Sequence, residues 1–167
     1  MDGIIGELVV RGSNVMRGYW NAPELTKTVF KNEGILGERY LYTGDLFHKD
    51  KEGFLYFHGR KDDLIKTKGE RVSPKEIENV IYKIEDVIEA AVIGIPDEIL
   101  GNALEAFIVK KNGSPLNEKD IQKFCSERLE NFMVPKYVVF ISELPKTENG
   151  KINRKAIKEL KHELFTN

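Results

Sequence analysis

Four residues stand where the chain must turn, and each is of a type that handles phosphate or sugar oxygens. Asp45 follows Gly44 at a corner between strand-like runs. A carboxylate held there by backbone can accept two hydrogen bonds from a vicinal diol such as a ribose. Arg60 ends the next strand-like run, and its planar fork suits phosphate or ribose oxygens. Gly69 lets the backbone approach a ligand closely. Lys151, in Thr-Glu-Asn-Gly-Lys-Ile before the last helix, is a mobile point charge able to neutralise a phosphate. Taken singly, each has a commoner structural role. A Gly-Asp pair caps a turn, Arg60 can pair with Asp62 or Asp63, Gly69 can turn a two-stranded ribbon, and most of the 26 basic residues face solvent.

Other chemistries lack their residues. There is no phosphate-cradling glycine loop of the Walker type and no dinucleotide fingerprint. His48, His58 and His162 have no metal-ligand spacing, and the first two are expected on a hairpin surface. No serine or cysteine carries a nucleophile signature; the lone Cys125 is expected as a buried, inert thiol on the apolar side of a helix. A net charge of −1 points to neither nucleic acid nor an anionic membrane. No apolar run approaches a membrane span, and the start lacks the regions of a signal peptide, so the cytoplasm is the expected compartment.

The elements that must position these residues fall on either side of Gly59–Arg71, where eight of thirteen residues are ionisable. Before it, Ile4–Arg11 reads as a strand, Pro23–Phe30 as a short helix, and Leu46–Lys49 with Phe54–His58 as a hairpin turning through Asp50–Gly53. After it, Ser73, Pro74 and Glu76 predict a capped helix start, with Ile77, Val80, Ile81 and Ile84 on one face. Strands follow at Val87–Ile95, Ala103–Lys111 and Tyr137–Ile141. A helix capped by Asn117 carries Ile121, Phe124, Cys125 and Leu129 at helical spacing, and a last helix spans Ile152–Leu164 with Ile157, Leu160 and Leu164. From about Leu64 onward this is a compact α+β unit, a short sheet packed by about three helices. The first sixty residues have strand signals but too few apolar residues for a core of their own.

In combination and in order, the motifs resemble the adenylate-forming enzymes: acyl- and aryl-CoA synthetases, peptide-synthetase adenylation domains and luciferases. The matching pieces are Gly6–Gly12, Gly18–Thr26, Tyr42-Thr43-Gly44-Asp45, Gly59-Arg60-Lys61-Asp62-Asp63, Lys68–Glu78 and Pro145–Ile152. The resemblance implies synthesis of an acyl-adenylate from a carboxylic acid and ATP, release of pyrophosphate, and transfer of the acyl group to a thiol. It also implies a small C-terminal domain that rotates on a hinge between the two steps. Carried over, Asp45 would bind ribose hydroxyls and Arg60 would contact the nucleotide. Asp62 would be the hinge residue, Gly69 and Glu70 would line the pantetheine tunnel, and Arg71 would approach phosphate. Lys151 would bridge the acid and the α-phosphate. The run from Asp62-Asp63 to Gly-Glu-Arg-Val-Ser-Pro is more similar to the acyl-CoA synthetases, with CoA as acceptor, than to carrier-loading domains.

The family's phosphate loop, its Tyr-Gly-x-Thr-Glu segment that helps hold Mg2+, and its acid pocket have no counterpart in these residues. The resemblance therefore implies a C-terminal piece: residues 1–58 as a β-rich remnant of the large N-terminal domain, 59–63 as hinge, and 64–167 as the small domain. Such a piece is expected to be inactive alone. The alternatives are part of a carrier-protein-loading domain, or a natural non-catalytic module that complements a separate large domain. An unpaired apolar strand edge near Leu8 would favour self-association.

Overall fold

A computed structural model describes residues 4–33 and 38–165, with side chains through Leu160. The chain is α+β and divides into two compact units, Met1–Asp62 and Asp63–Asn167.

The first unit is an antiparallel sheet built on one long strand. Strand β3 (Glu38–Lys49) pairs with β1 (Gly6–Val10) on one side, and with β2 (Phe30–Glu33) and β4 (Leu55–Arg60) elsewhere along its length. Helix α1 (Pro23–Val29) starts at the expected proline. The hairpin turn at Asp50 forms as read: its carboxylate accepts the Glu52 and Phe54 amides at 2.9 Å each. Strand β2 and the first half of β3 carry no strand pattern in the sequence, because Lys, Asn, Glu and Arg there break the apolar alternation. Among the described residues of this unit no large apolar side chain is buried; Trp20 is 91% exposed, and Phe54 to Phe57 are exposed as a run. His48 and His58 are half-buried rather than on the surface, because they face each other with Nδ1 and Nε2 2.6 Å apart. The side chain of His162 lies outside the described residues.

The second unit carries the core. Strands β7 (Val87–Asp97) and β8 (Gly101–Lys110) form an antiparallel hairpin, and β9 (Tyr137–Phe140) joins β8 in parallel after helix α3 (Glu118–Ser126). Alternation assigns the two faces. Ala90, Val92, Leu104, Ala106 and Ile108 meet helix α2 (Pro74–Ile81) through Ile77, Val80 and Ile81, and α3 through Ile121 and Cys125. Ala91, Ile93, Phe107 and Val109 pack with Leu144 and with Ile157 of α4 (Arg154–Phe165). A sheet covered on both faces must be apolar on both, which is why these strands read as continuous apolar runs. Fully burying a residue such as Ile77 contributes about 1.5–3 kcal/mol.

Local chemistry corrects two expectations. The Asn117 cap forms, reinforced by Asp120 reaching back to its amide at 3.0 Å. The capping box at Ser73 does not. Ser73 holds the cap position without a side-chain cap bond, Glu76 stays exposed, and the Glu76 amide bonds the Ser73 carbonyl at 3.1 Å. Pro74 sets the start through its fixed φ instead. The last helix begins at Arg154 rather than Ile152. Ile152 pairs in a bridge with Lys146, and the Asn153 side chain takes the Ala156 amide at 3.1 Å. Leu160 is half-buried, and the side chain of Leu164 lies outside the described residues.

Candidate functional site

The Gly-Asp corner is a built bulge. Val9 pairs with Tyr42 and Glu7 with Leu46, so Thr43, Gly44 and Asp45 together oppose Leu8. Extra residues in one strand leave amides without ladder partners. Side chains satisfy them here. Glu7 takes the Gly44 amide at 3.0 Å, and the Thr43 hydroxyl takes the Asp45 amide at 3.1 Å while donating to the Leu8 carbonyl at 2.8 Å. Gly44 has φ of +75°, a conformation that costs a residue with a Cβ about 1–2 kcal/mol. The bend presents Asp45 to Arg60, its register partner on β4, with Nη1 2.8 Å from Oδ1. Arg60 therefore pairs across the strands and not with Asp62 or Asp63. Lys61 holds Glu7 from the far side at 3.1 Å, and Asp62 follows in the 3₁₀ turn Lys61–Asp63.

In the second unit Gly69 turns a tight ribbon. Strands β5 (Ile65–Thr67) and β6 (Glu70–Val72) pair across a two-residue loop, with φ of +50° at Lys68 and +86° at Gly69. Positive φ at both loop positions gives a turn whose twist matches the strands. The ribbon is tied to the β7–β8 turn: the Lys68 amide bonds the Leu100 carbonyl at 3.0 Å, and Asn102 donates to the Lys66 carbonyl at 2.7 Å. Gly69, Glu70 and Arg71 are exposed along it. Beside it opens a groove of about 580 Å³ whose walls include Lys68, Asp97, Gln122, Phe132 and Lys136. Its Asp97 is held below the usual carboxylate range by the Lys136 ammonium at 2.7 Å and by the Leu100 and Ile99 amides, against the opposing effect of burial.

Lys151 stands on a different element of this unit. The loop from Pro145 to Asn153 closes on itself: the Thr147 amide bonds the Lys151 carbonyl at 2.7 Å, Gly150 bonds Thr147 at 2.8 Å, and Asn153 bonds Pro145 at 2.8 Å. The neighbouring cation Lys146 is engaged by Glu89 at 2.6 Å, which raises its pKa. Lys151 is exposed and has no carboxylate partner among the described residues. The structure thus joins Asp45 to Arg60, and Gly69 to Glu70 and Arg71, while Lys151 stands apart from the ribbon. Sequence reading missed Glu7 and Thr43, which form the corner, and Glu78 with Arg154, an ion pair that ties α2 to the start of α4. Glu78 leaves one trace, a carboxylate between the buried Ile77 and Ile81.

Among the described residues no group of three His, Cys, Asp or Glu converges as a metal site, and no helix is long and apolar enough to cross a membrane. Cys125 is fully buried and its thiol is pushed up to about 11 by burial, against a lowering influence of Arg128.

Comparison with known proteins agrees with this architecture. Residues 76–151 match the family model of the AMP-binding enzyme C-terminal domain. The chain is 40% identical over 154 residues to a long-chain-fatty-acid–CoA ligase of Bacillus subtilis, covering 92% of this chain and 26% of that protein. It is 38% identical to a 2-succinylbenzoate–CoA ligase of Bacillus mycoides, covering 98% and 34%. The crystal structure of ATP-bound MatB from Rhodopseudomonas palustris superposes with a TM-score of 0.87 at 34% identity, over 99% of this chain and 32% of that one. The chain spans about a quarter to a third of the length of the relatives it matches. In sequence and in fold, this chain belongs to the adenylate-forming, AMP-binding enzyme family, as a C-terminal part of it.

Proposed function

We propose that the chain serves an ATP-dependent acid–CoA ligase as its nucleotide corner, hinge and mobile C-terminal domain. In the first step the acid's carboxylate oxygen bonds to the α-phosphorus of ATP and pyrophosphate leaves. In the second the thiol sulfur of CoA bonds to the acyl carbon, its proton is lost, and AMP leaves. Asp45 accepts the ribose hydroxyls and Arg60 contacts the nucleotide. Lys151 opposes the charge that builds on the α-phosphate, and Arg71 approaches phosphate in the same conformation. Gly69 and Glu70 line the path of pantetheine in the second. Residues 1–58 belong with the large domain, 59–63 form the hinge at Asp62, and 64–167 rotate, with Mg2+ held by the large domain. The division of the chain at Asp62 and Asp63 supports a hinge there. The exposed run Phe54–Phe57 is the kind of face a covering domain would bury.

The observation that carries the reading is the contrast between the two lysines of one closed loop. Lys146 is neutralised by Glu89, and Lys151 is left exposed as a deliverable charge. A cation aimed at developing charge lowers the barrier only in the step where that charge develops. Lys151→Ala in the whole enzyme is expected to lower pyrophosphate exchange about 10²- to 10³-fold. Thioester formation from preformed acyl-adenylate is expected to stay intact. Equal loss in both steps would refute the alternation.

A further inference from the structure

We propose that Glu78 and Arg154 are positioning residues that aim the Lys151 loop. The inference rests on the role given to Lys151 above. Glu78 lies on α2 with 2% of its side chain exposed. A carboxylate that deep is tolerated only when paired and hydrogen-bonded. Its Oε1 accepts the buried Val92 amide of β7 at 2.9 Å and Arg154 Nη2 at 2.6 Å. Arg154 opens α4, three residues after Lys151. Its Nη1 lies 4.0 Å from the Asp63 carboxylate, so one guanidinium spans α2, the start of α4 and the residue after Asp62. Its Nε is buried with no hydrogen-bond partner, so the Nη contacts are what fix the group.

The loop itself is internally complete, with its Thr147, Gly150 and Asn153 amides bonded inside it. Such a loop moves as a body, and its direction is set by its anchors. The Lys146–Glu89 pair is a weak anchor because the lysine side chain is half exposed, at 47%. The Glu78–Arg154 pair is the deeper one, with Glu78 2% and Arg154 31% exposed, and its planar fork fixes direction where an ammonium would not.

Two measurements test this. In the whole enzyme, Glu78→Gln and Arg154→Lys keep side-chain volume close to native, and each is expected to lower the adenylation kcat about 10- to 100-fold, as a misplaced catalytic group does. KM values for ATP and acid, and transfer from preformed acyl-adenylate, are expected to change little. In the present chain, Arg154→Lys is expected to change the residual dipolar couplings of the Thr147, Gly150 and Lys151 amides together, as a reoriented loop does, while leaving amide hydrogen exchange in the unit, Ala106 of β8 included, unchanged. Equal loss in both half-reactions, or faster exchange throughout the unit, would reduce the pair to a general stabiliser and overturn the proposal. A damaging Lys151→Ala beside a silent Glu78→Gln would overturn the positioning role alone. A silent Lys151→Ala would overturn both this and the reading on which it rests.

Discussion

Gly94→Ala tests how the β5–β6 ribbon is seated, since a single methyl separates a fitting ribbon from a displaced one. Gly94 lies on β7 facing the same side as Ala90 and Val92, where Ile65 of β5 covers it. A Cβ built on Gly94 would sit 2.6 Å from Ile65 Cγ2 and 3.4 Å from its Cγ1. Carbon atoms pack best at about 3.5–4.0 Å, so the overlap is roughly 1 Å. Ile65 cannot yield by rotating a distal bond, because Cγ2 moves only with the stiff χ1 of a β-branched residue. The strand must shift, and with it Lys68 and Gly69. Overpacking of this kind costs about 1–3 kcal/mol. With a urea m-value of about 2 kcal/mol/M, the midpoint should fall by about 0.5–1.5 M. Ile65→Ala alone should cost about 2–5 kcal/mol as a cavity. The double variant should be less damaged than the sum by at least about 1 kcal/mol, because the new methyl enters the space the isoleucine left. Urea unfolding of the four proteins, followed by circular dichroism, measures the cycle. Strict additivity, or a Gly94→Ala midpoint equal to wild type, would refute this packing of Ile65 on Gly94.

Two further outcomes follow from the second unit. Cys125, fully buried with its thiol raised to about 11, should resist a thiol-specific disulfide reagent at pH 8 and react fully only in denaturant; rapid labelling of the native protein would contradict its burial. Asp97 is depressed in the folded state, so its contribution is present above the unfolded value of about 3.9 and is lost as pH falls through the lower folded value. Lys136 is raised, so its part is present below about 10.4 and is lost as pH rises through the folded value. Amide shifts of Ile99 and Leu100 should therefore stay constant near neutrality and move in acid below about pH 4. Asp97→Asn should abolish the acid transition, and a transition centred above that pH would count against the pairing.

Much of the second unit was legible because its strands and helices carry unbroken periodic patterns. Ile77, Val80 and Ile81 at helical spacing, and the doubly apolar runs of β7 and β8, determine one buried sheet with helices on it whatever the surroundings. Asn117 announced its helix because a cap acts within three residues. Motif order identified the family and named Asp45, Arg60, Gly69 and Lys151 as residues of interest. Tertiary structure decided what a local pattern cannot carry. Arg60 had acidic neighbours at 62 and 63 in the chain, yet it pairs with Asp45 because strand register sets them opposite each other. Ser73 had the residues of a capping box and made none, since Pro74 already fixed the helix start. Glu78 and Arg154, 76 residues apart in the chain, meet in an ion pair. A periodic pattern is a property of one segment, whereas a buried ion pair is a property of where two segments meet, and only the folded chain supplies that.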